Sequence, residues 1–217
     1  MFWPSFNGAL AADGNQQNRV FVNTNLSIAA GCIGAAFTAR LFYGKLEMTI
    51  IMNATLAGGV AIGTCSDIIT TPGGSLWVGF IAGIFSAIGF NVISPFLAEK
   101  INLQDTCGVL SLHGMPGLLG GVASIFAIAA VASEFDHDYF PVIANGGSKT
   151  GQVMAQVYMI LVTLGAAILT GWFGGLIAKR GVFNPPEILF KDDDHFHDVV
   201  SKYPESYLDI GSEKKDE

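Results

Sequence analysis

One residue of this chain raises a chemical question before any other. His113 stands in "LHGMPGLLGG", residues 112–121, inside one of the most apolar parts of the sequence and three residues before Pro116. A neutral imidazole offers one donor and one acceptor nitrogen. Desolvation in an apolar span favours that neutral ring. It suits holding a small hydrogen-bonding solute, or moving a proton, better than fixing a charge. On a helix, Leu110, Gly117, Gly120 or Gly121, and Ser124 share roughly its face, and glycines there leave space beside the ring. Pro116 withholds a backbone donor, so a carbonyl one turn earlier must find another partner.

Other chemistries find less support. The remaining histidines, His137, His195 and His197, fall in a loop and a tail, so no metal set converges on His113. Cys32, Cys65 and Cys107 show no C-x-x-C spacing and read as small apolar fillers. An enzyme built on His113 and Cys107 lacks a second base at that depth, so no catalytic residue is assigned. Asn53 and Thr55 in "MNATLAGGVAIG" are polar within a span; an interhelical hydrogen bond explains them better than a pore-lining place. Asp67, Asn91 and Pro95 lie near span ends, where an interface, a cap or a kink accounts for them.

These residues must be carried by a membrane bundle. Of 217 residues, 51% are hydrophobic and 13% charged, about half the charge of a soluble domain. Five apolar stretches approach the roughly 20 residues that cross a bilayer as a helix: 25–42, 48–66, 75–97, 107–131 and 152–178. Residues 11–23 and 133–151 read as connections. The opening "MFWPSFNGALAADGN" resembles the second half of another helix. Small residues four apart (Gly59 with Gly63, Gly79 with Gly83 and Ala87, Gly117 with Gly121, Gly171 with Gly175) imply close helix contact. The expected architecture is an all-α integral membrane domain over residues 1–180, with an acidic tail over 181–217.

The net charge of −7 comes largely from that tail, and no basic, aromatic-studded surface suggests nucleic acid. Arg40, Lys45, Lys100, Lys179, Arg180 and Lys191 fall on one side of the bilayer, against Arg19 and Lys149 on the other. The positive-inside rule then places the tail in the cytoplasm.

"GKLEMTIIMNATLAGGVAIGT" and "INLQDTCGVLSLHGMPGLLGG" together resemble the ammonium transporter/Rhesus glycoprotein family, and its Rh branch in particular. "MFWPSFN" is similar to that family's sixth core helix, and "FKDDDHFHD" to the start of the Rh cytoplasmic tail. The resemblance implies the second half of an inverted-repeat bundle, five complete helices and a partial first one. It implies a trimer, homo- or heteromeric, in the plasma membrane, each subunit with its own pore. Ammonium would be recruited outside, lose its proton and cross as ammonia, with methylammonium or carbon dioxide as other candidate solutes. No cofactor is implied. Phe6 matches the inner member of a phenylalanine gate, Trp3 and Asn7 its neighbours, and His113 the second of two pore histidines. Asn53, Leu110, Gly117 and Gly121 are then pore-adjacent or packing positions. The first histidine and the outer phenylalanine belong to helices that precede the matched segment, so the chain reads as the C-terminal half of a longer transporter. The alternative is a truncated, non-conducting subunit that assembles with full-length relatives.

Overall fold

The computed structural model of the chain describes residues 2–11, 14–130 and 147–179. His137, His195, His197, most of the 133–151 connection and the acidic tail lie outside the described residues. Among those described, every regular element is helical: α1 Trp3–Gly8, α2 Gly14–Tyr43, α3 Met48–Ile62, α4 Pro72–Ile101, α5 Leu110–Ala130 and α6 Lys149–Ile177. The chain divides into two units, Met1–Gly165 and Ala166–Glu217. In the second, the end of α6 exposes Ile168, Leu169, Trp172 and Phe173.

Helices α2, α4, α5 and α6 are long and apolar enough to cross a membrane. The 48–66 stretch is not helical throughout. α3 stops at Ile62, where the Gly63 N–H donates to Val60 O at 3.1 Å, and turns follow to Ile68. Its 15 residues rise about 22 Å, short of a hydrocarbon core of about 30 Å.

At its start α2 runs eleven residues beyond the expected span, through the polar stretch "GNQQNRVFVNT". Polarity suggests a connection there, but four of these residues, Gln16, Arg19, Val20 and Asn23, lie on one face. That face engages the α3–α4 turn. Asn23 Nδ2 donates to Ser66 O and Ile69 O, both at 2.7 Å, and Arg19 Nη1 to Asp67 O at 2.8 Å. The helix thus satisfies carbonyls of the α3–α4 turn that have no helical partner.

Packing in the first unit is built on glycine. Gly34 in α2 and Gly79 and Gly83 in α4 lie so close to the facing helix that an added Cβ would overlap the backbone of Phe80, Ser27 and Gly31 respectively. Gly31 and Gly58 play the same part between α2 and α3, where Ser27 Oγ also donates to Gly58 O at 2.8 Å. Backbones can approach this closely only where side chains are missing, and dispersion then replaces the hydrophobic drive that lipid cannot supply. Gly171 and Gly175 differ: a Cβ at either would meet nothing within 4 Å.

Both α4 and α5 contain one π-helical turn, at Gly89–Ile93 and Leu110–Gly114. Each is closed by an N–H reaching back five residues, Ser94 N to Gly89 O and Met115 N to Leu110 O, and each closing residue precedes a proline. Pro95 and Pro116 have no N–H to continue the α ladder, and the wider turn takes up the mismatch. Asn91 Nδ2 donates to Ala87 O at 2.9 Å inside the first of these turns. Asn102, at φ 54°, ends α4 in the left-handed conformation.

Candidate functional site

Three aromatic rings gather on one side of the first unit. The Trp3 ring stacks on that of His113, with centroids 6.3 Å apart and planes 17° from parallel. Trp3 and Phe6 lie 6.0 Å apart at 48°. Phe6 is 75% exposed, His113 is exposed, and Trp3 is half-buried. The described residues therefore do not supply the buried setting that the sequence suggests for His113.

Short α1 reaches this position through two anchors. Pro4 opens the helix, where a missing donor is harmless. Gly59 of α3 is the first anchor: any Cβ there would run into the Trp3 ring. Asn7 is the second, with Nδ2 donating to Thr24 Oγ1 of α2 at 3.2 Å and to Gly59 O at 3.1 Å. The Gly59 carbonyl is available because Gly63 N–H has turned to Val60 instead. Asn7 thus joins α1 to two other helices, and its amide protons point into the bundle. Trp3 Nε1 is buried with no partner among the described residues.

His113 sits in the π turn of α5, as the fourth residue of the helix, counting from its start. Asp105 Oδ2 accepts from Leu110 N at 3.0 Å and caps that start. Leu110 is half-buried and Gly117 exposed, so both stay near the His113 side. A Cβ on Gly117 would meet only Val60, at 3.8 Å. Gly120, Gly121 and Ser124 are buried, however, and turn toward packed helices. Gly120 lies against Ala61 O, and a Cβ on Gly121 would come within 3.0 Å of Ile160. Ser124 Oγ donates to Gly121 O within its own helix at 2.7 Å. The open face beside the ring is narrower than the glycine spacing suggests.

Asn53 is half-buried and its side chain forms no hydrogen bond among the described residues; Thr55 Oγ1 donates to Met52 O of its own helix at 2.6 Å. The interhelical bonds expected of this pair come from Asn7, Asn23 and Ser27 instead. Cys65 is buried, Cys32 half-buried, and Cys107 exposed in the turn before α5 rather than filling a span.

Asp67 lies in the α3–α4 turn, accepting from Gln16 Nε2 at 3.2 Å. Burial pushes its carboxyl above the usual carboxylate range, and hydrogen bonds together with the Arg19 charge partly offset that. A cavity of about 180 Å³ beside it is lined by Asn7, Gly63, Thr64 and Ser66. Residue types and local spacing do not single out Thr24, Asn23, Asp105, Ser94 or Ser111, although Pro95 and Pro116 mark the turns that Ser94 closes and Ser111 lies in.

The profile of the Ammonium Transporter Family matches residues 1–183. The ammonium transporter Rh type B of Takifugu rubripes is 43% identical over 94% of the chain and 47% of its own length. The human Rh type B protein is 42% identical over 92% and 44%. The chain therefore spans less than half the length of these relatives. Among solved structures, the Rh50 protein of Nitrosomonas europaea, of the Rhesus protein family of channels, superposes with a TM-score of 0.66 at 29% identity. That likeness covers 95% of this chain and 49% of the other. A sensor Amt protein shares the fold at a TM-score of 0.64 and 23% identity, over 82% and 41%. The Rh relatives are transporters and channels, not enzymes, and the chain belongs to the ammonium transporter family, in its Rh branch.

Proposed function

We propose that this chain forms one wall of a membrane conduit that moves ammonium nitrogen as ammonia, within an assembly about twice its length. The observation that carries the reading is the row of Phe6, Trp3 and His113 on a single open side of the bundle. A charge at the bilayer centre costs about 2.5–3.5 kcal/mol or more, whereas ammonia avoids that cost. An apolar wall is therefore a filter against ions. The Phe6 face attracts an ammonium ion by cation–π contact, worth about 0.5–2 kcal/mol. His113, presented on the same wall, offers a nitrogen that lessens the loss of water around ammonia. No bond is made or broken beyond a proton transfer.

The positive-inside count supports the α2–α3, α4–α5 and tail side as cytoplasmic, and the family match supports a plasma-membrane trimer. The test is uptake of labelled methylammonium into vesicles by a full-length transporter containing this segment. His113→Leu should abolish uptake or change its selectivity at unchanged protein level; native rate and selectivity would remove His113 from the path.

The open face also favours a second reading, a non-conducting subunit that docks on full-length relatives. Under the first reading the 217-residue chain reconstituted alone conducts nothing. Co-purification with a full-length Rh protein, with lowered uptake, would favour the second.

A further inference from the structure

The two π turns are neighbours, and they interlock. Ser94 Oγ, just after the turn of α4, lies 3.2 Å from Ser111 Oγ, within the turn of α5. Ser111 is fully buried. Gly89 admits it: a Cβ there would come within 2.6 Å of Ser111 Oγ and 2.9 Å of its Cβ. The fit is reciprocal, because Gly108, at φ +68°, lies where any Cβ would run into the Phe90 ring of the α4 turn. A glycine in the α4 turn and one just before the α5 turn thus each make room for a side chain of the other turn.

We propose that Ser94 and Ser111 are positioning residues for His113, their hydrogen bond holding α5 in the register that turns the imidazole toward Trp3. A π turn holds one residue more than an α turn, and one residue corresponds to about 100° of helix rotation. Relaxation of Leu110–Gly114 toward α geometry therefore swings His113 away from the ring it now stacks on. Asp105 fixes the turn at its start and Met115 closes it at its end. Among the described residues, Ser94 is the one hydrogen-bonding side chain that reaches its middle from another helix. Replacing Ser94 with alanine strands the buried Ser111 hydroxyl, which can then be satisfied only by carbonyls of its own turn.

The inference deepens the conduit reading for His113, but its test reads ring environment and not transport. The 217-residue chain in detergent micelles is treated with diethylpyrocarbonate, and modification of His113 is followed by peptide mass. Ser94→Ala should raise the rate at His113 about threefold or more, the size of effect that loss of one hydrogen bond gives. Ser94→Thr, which keeps a hydroxyl, should retain the native rate. A native rate in Ser94→Ala, with native helicity and elution, overturns the proposal. If Ser94→Ala does not fold, Ser111→Cys keeps the size while weakening the bond, and an unchanged rate there overturns it equally. A raised rate, with methylammonium uptake by the full-length transporter that ignores His113→Leu, keeps this inference and removes His113 from the path.

Discussion

The α2–α4 seam and the Phe6–Trp3–His113 side of the same unit are both rich in glycine, and they use it in opposite ways. In the seam, Gly34, Gly79 and Gly83 bring backbone against backbone. Around His113, Gly117 borders open space, with only Val60 at contact distance from a Cβ. The seam has exchanged side chains for rigidity; the open side has kept large rings and left them uncovered. Glycine spacing alone does not tell a packing face from a lining face. What tells them apart is whether a carbonyl or nothing lies opposite.

The sharpest way to break this contrast is to add the same kind of bulk to each side. Gly79→Ala should cost at least about 3 kcal/mol or prevent folding, because its added Cβ meets Ser27 backbone, which cannot turn aside. Gly117→Ala should stay within about 0.5 kcal/mol of native, as a substitution into open space. Thermal unfolding in detergent measures both, and equal costs would erase the distinction.

An intermediate effect belongs to the joint between the two regions. Asn7→Leu removes both bonds that tie α1 to α2 and α3, and leaves the fully buried Thr24 without that partner. The expected loss is about 1–3 kcal/mol. Trp3, in a background with Trp77 and Trp172 changed to phenylalanine, should become more accessible to acrylamide. Unchanged quenching would show that the Gly59 seat alone holds the ring.

The smallest effect concerns pH. Burial raises the Asp67 carboxyl, so the folded chain binds that proton more tightly than the unfolded chain does. The stabilisation is complete below the ordinary carboxylate range and is lost as pH rises through the raised value. Asp67→Asn should flatten that slope while keeping an acceptor for Gln16. Stability that instead rose with pH across this window, and lost the rise in Asp67→Asn, would reverse the assignment.

Much of the helical plan can be read from hydropathy, because long apolar runs of low charge have few other uses. Residues 14–23 escape that reading. Their polar side chains serve carbonyls more than forty positions away, as with Asn23 and Ser66. Local polarity marks a loop and a buried polar seam in the same way. His113 stands out because it is a lone titratable group in an apolar run. Asn7 shows its neighbours but not its partners, which lie 17 and 52 residues along the chain. The π turns are half legible: Pro95 and Pro116 announce a broken ladder without saying whether it kinks or widens.

That widening has a consequence for how the sequence can change. A π turn is, in effect, a single inserted residue that the helix has absorbed without a bulge to the side. Two packed helices each carry one, at the same place in their contact. Deleting one residue from a turn would let it close as an α turn with the helix beyond it still in register, whereas relaxing the turn at full length would rotate that helix by about 100°. Residues 89–93 and 110–114 are thus the places where either helix can lose one residue and keep its register, with the loss falling on the Ser94–Ser111 contact between them.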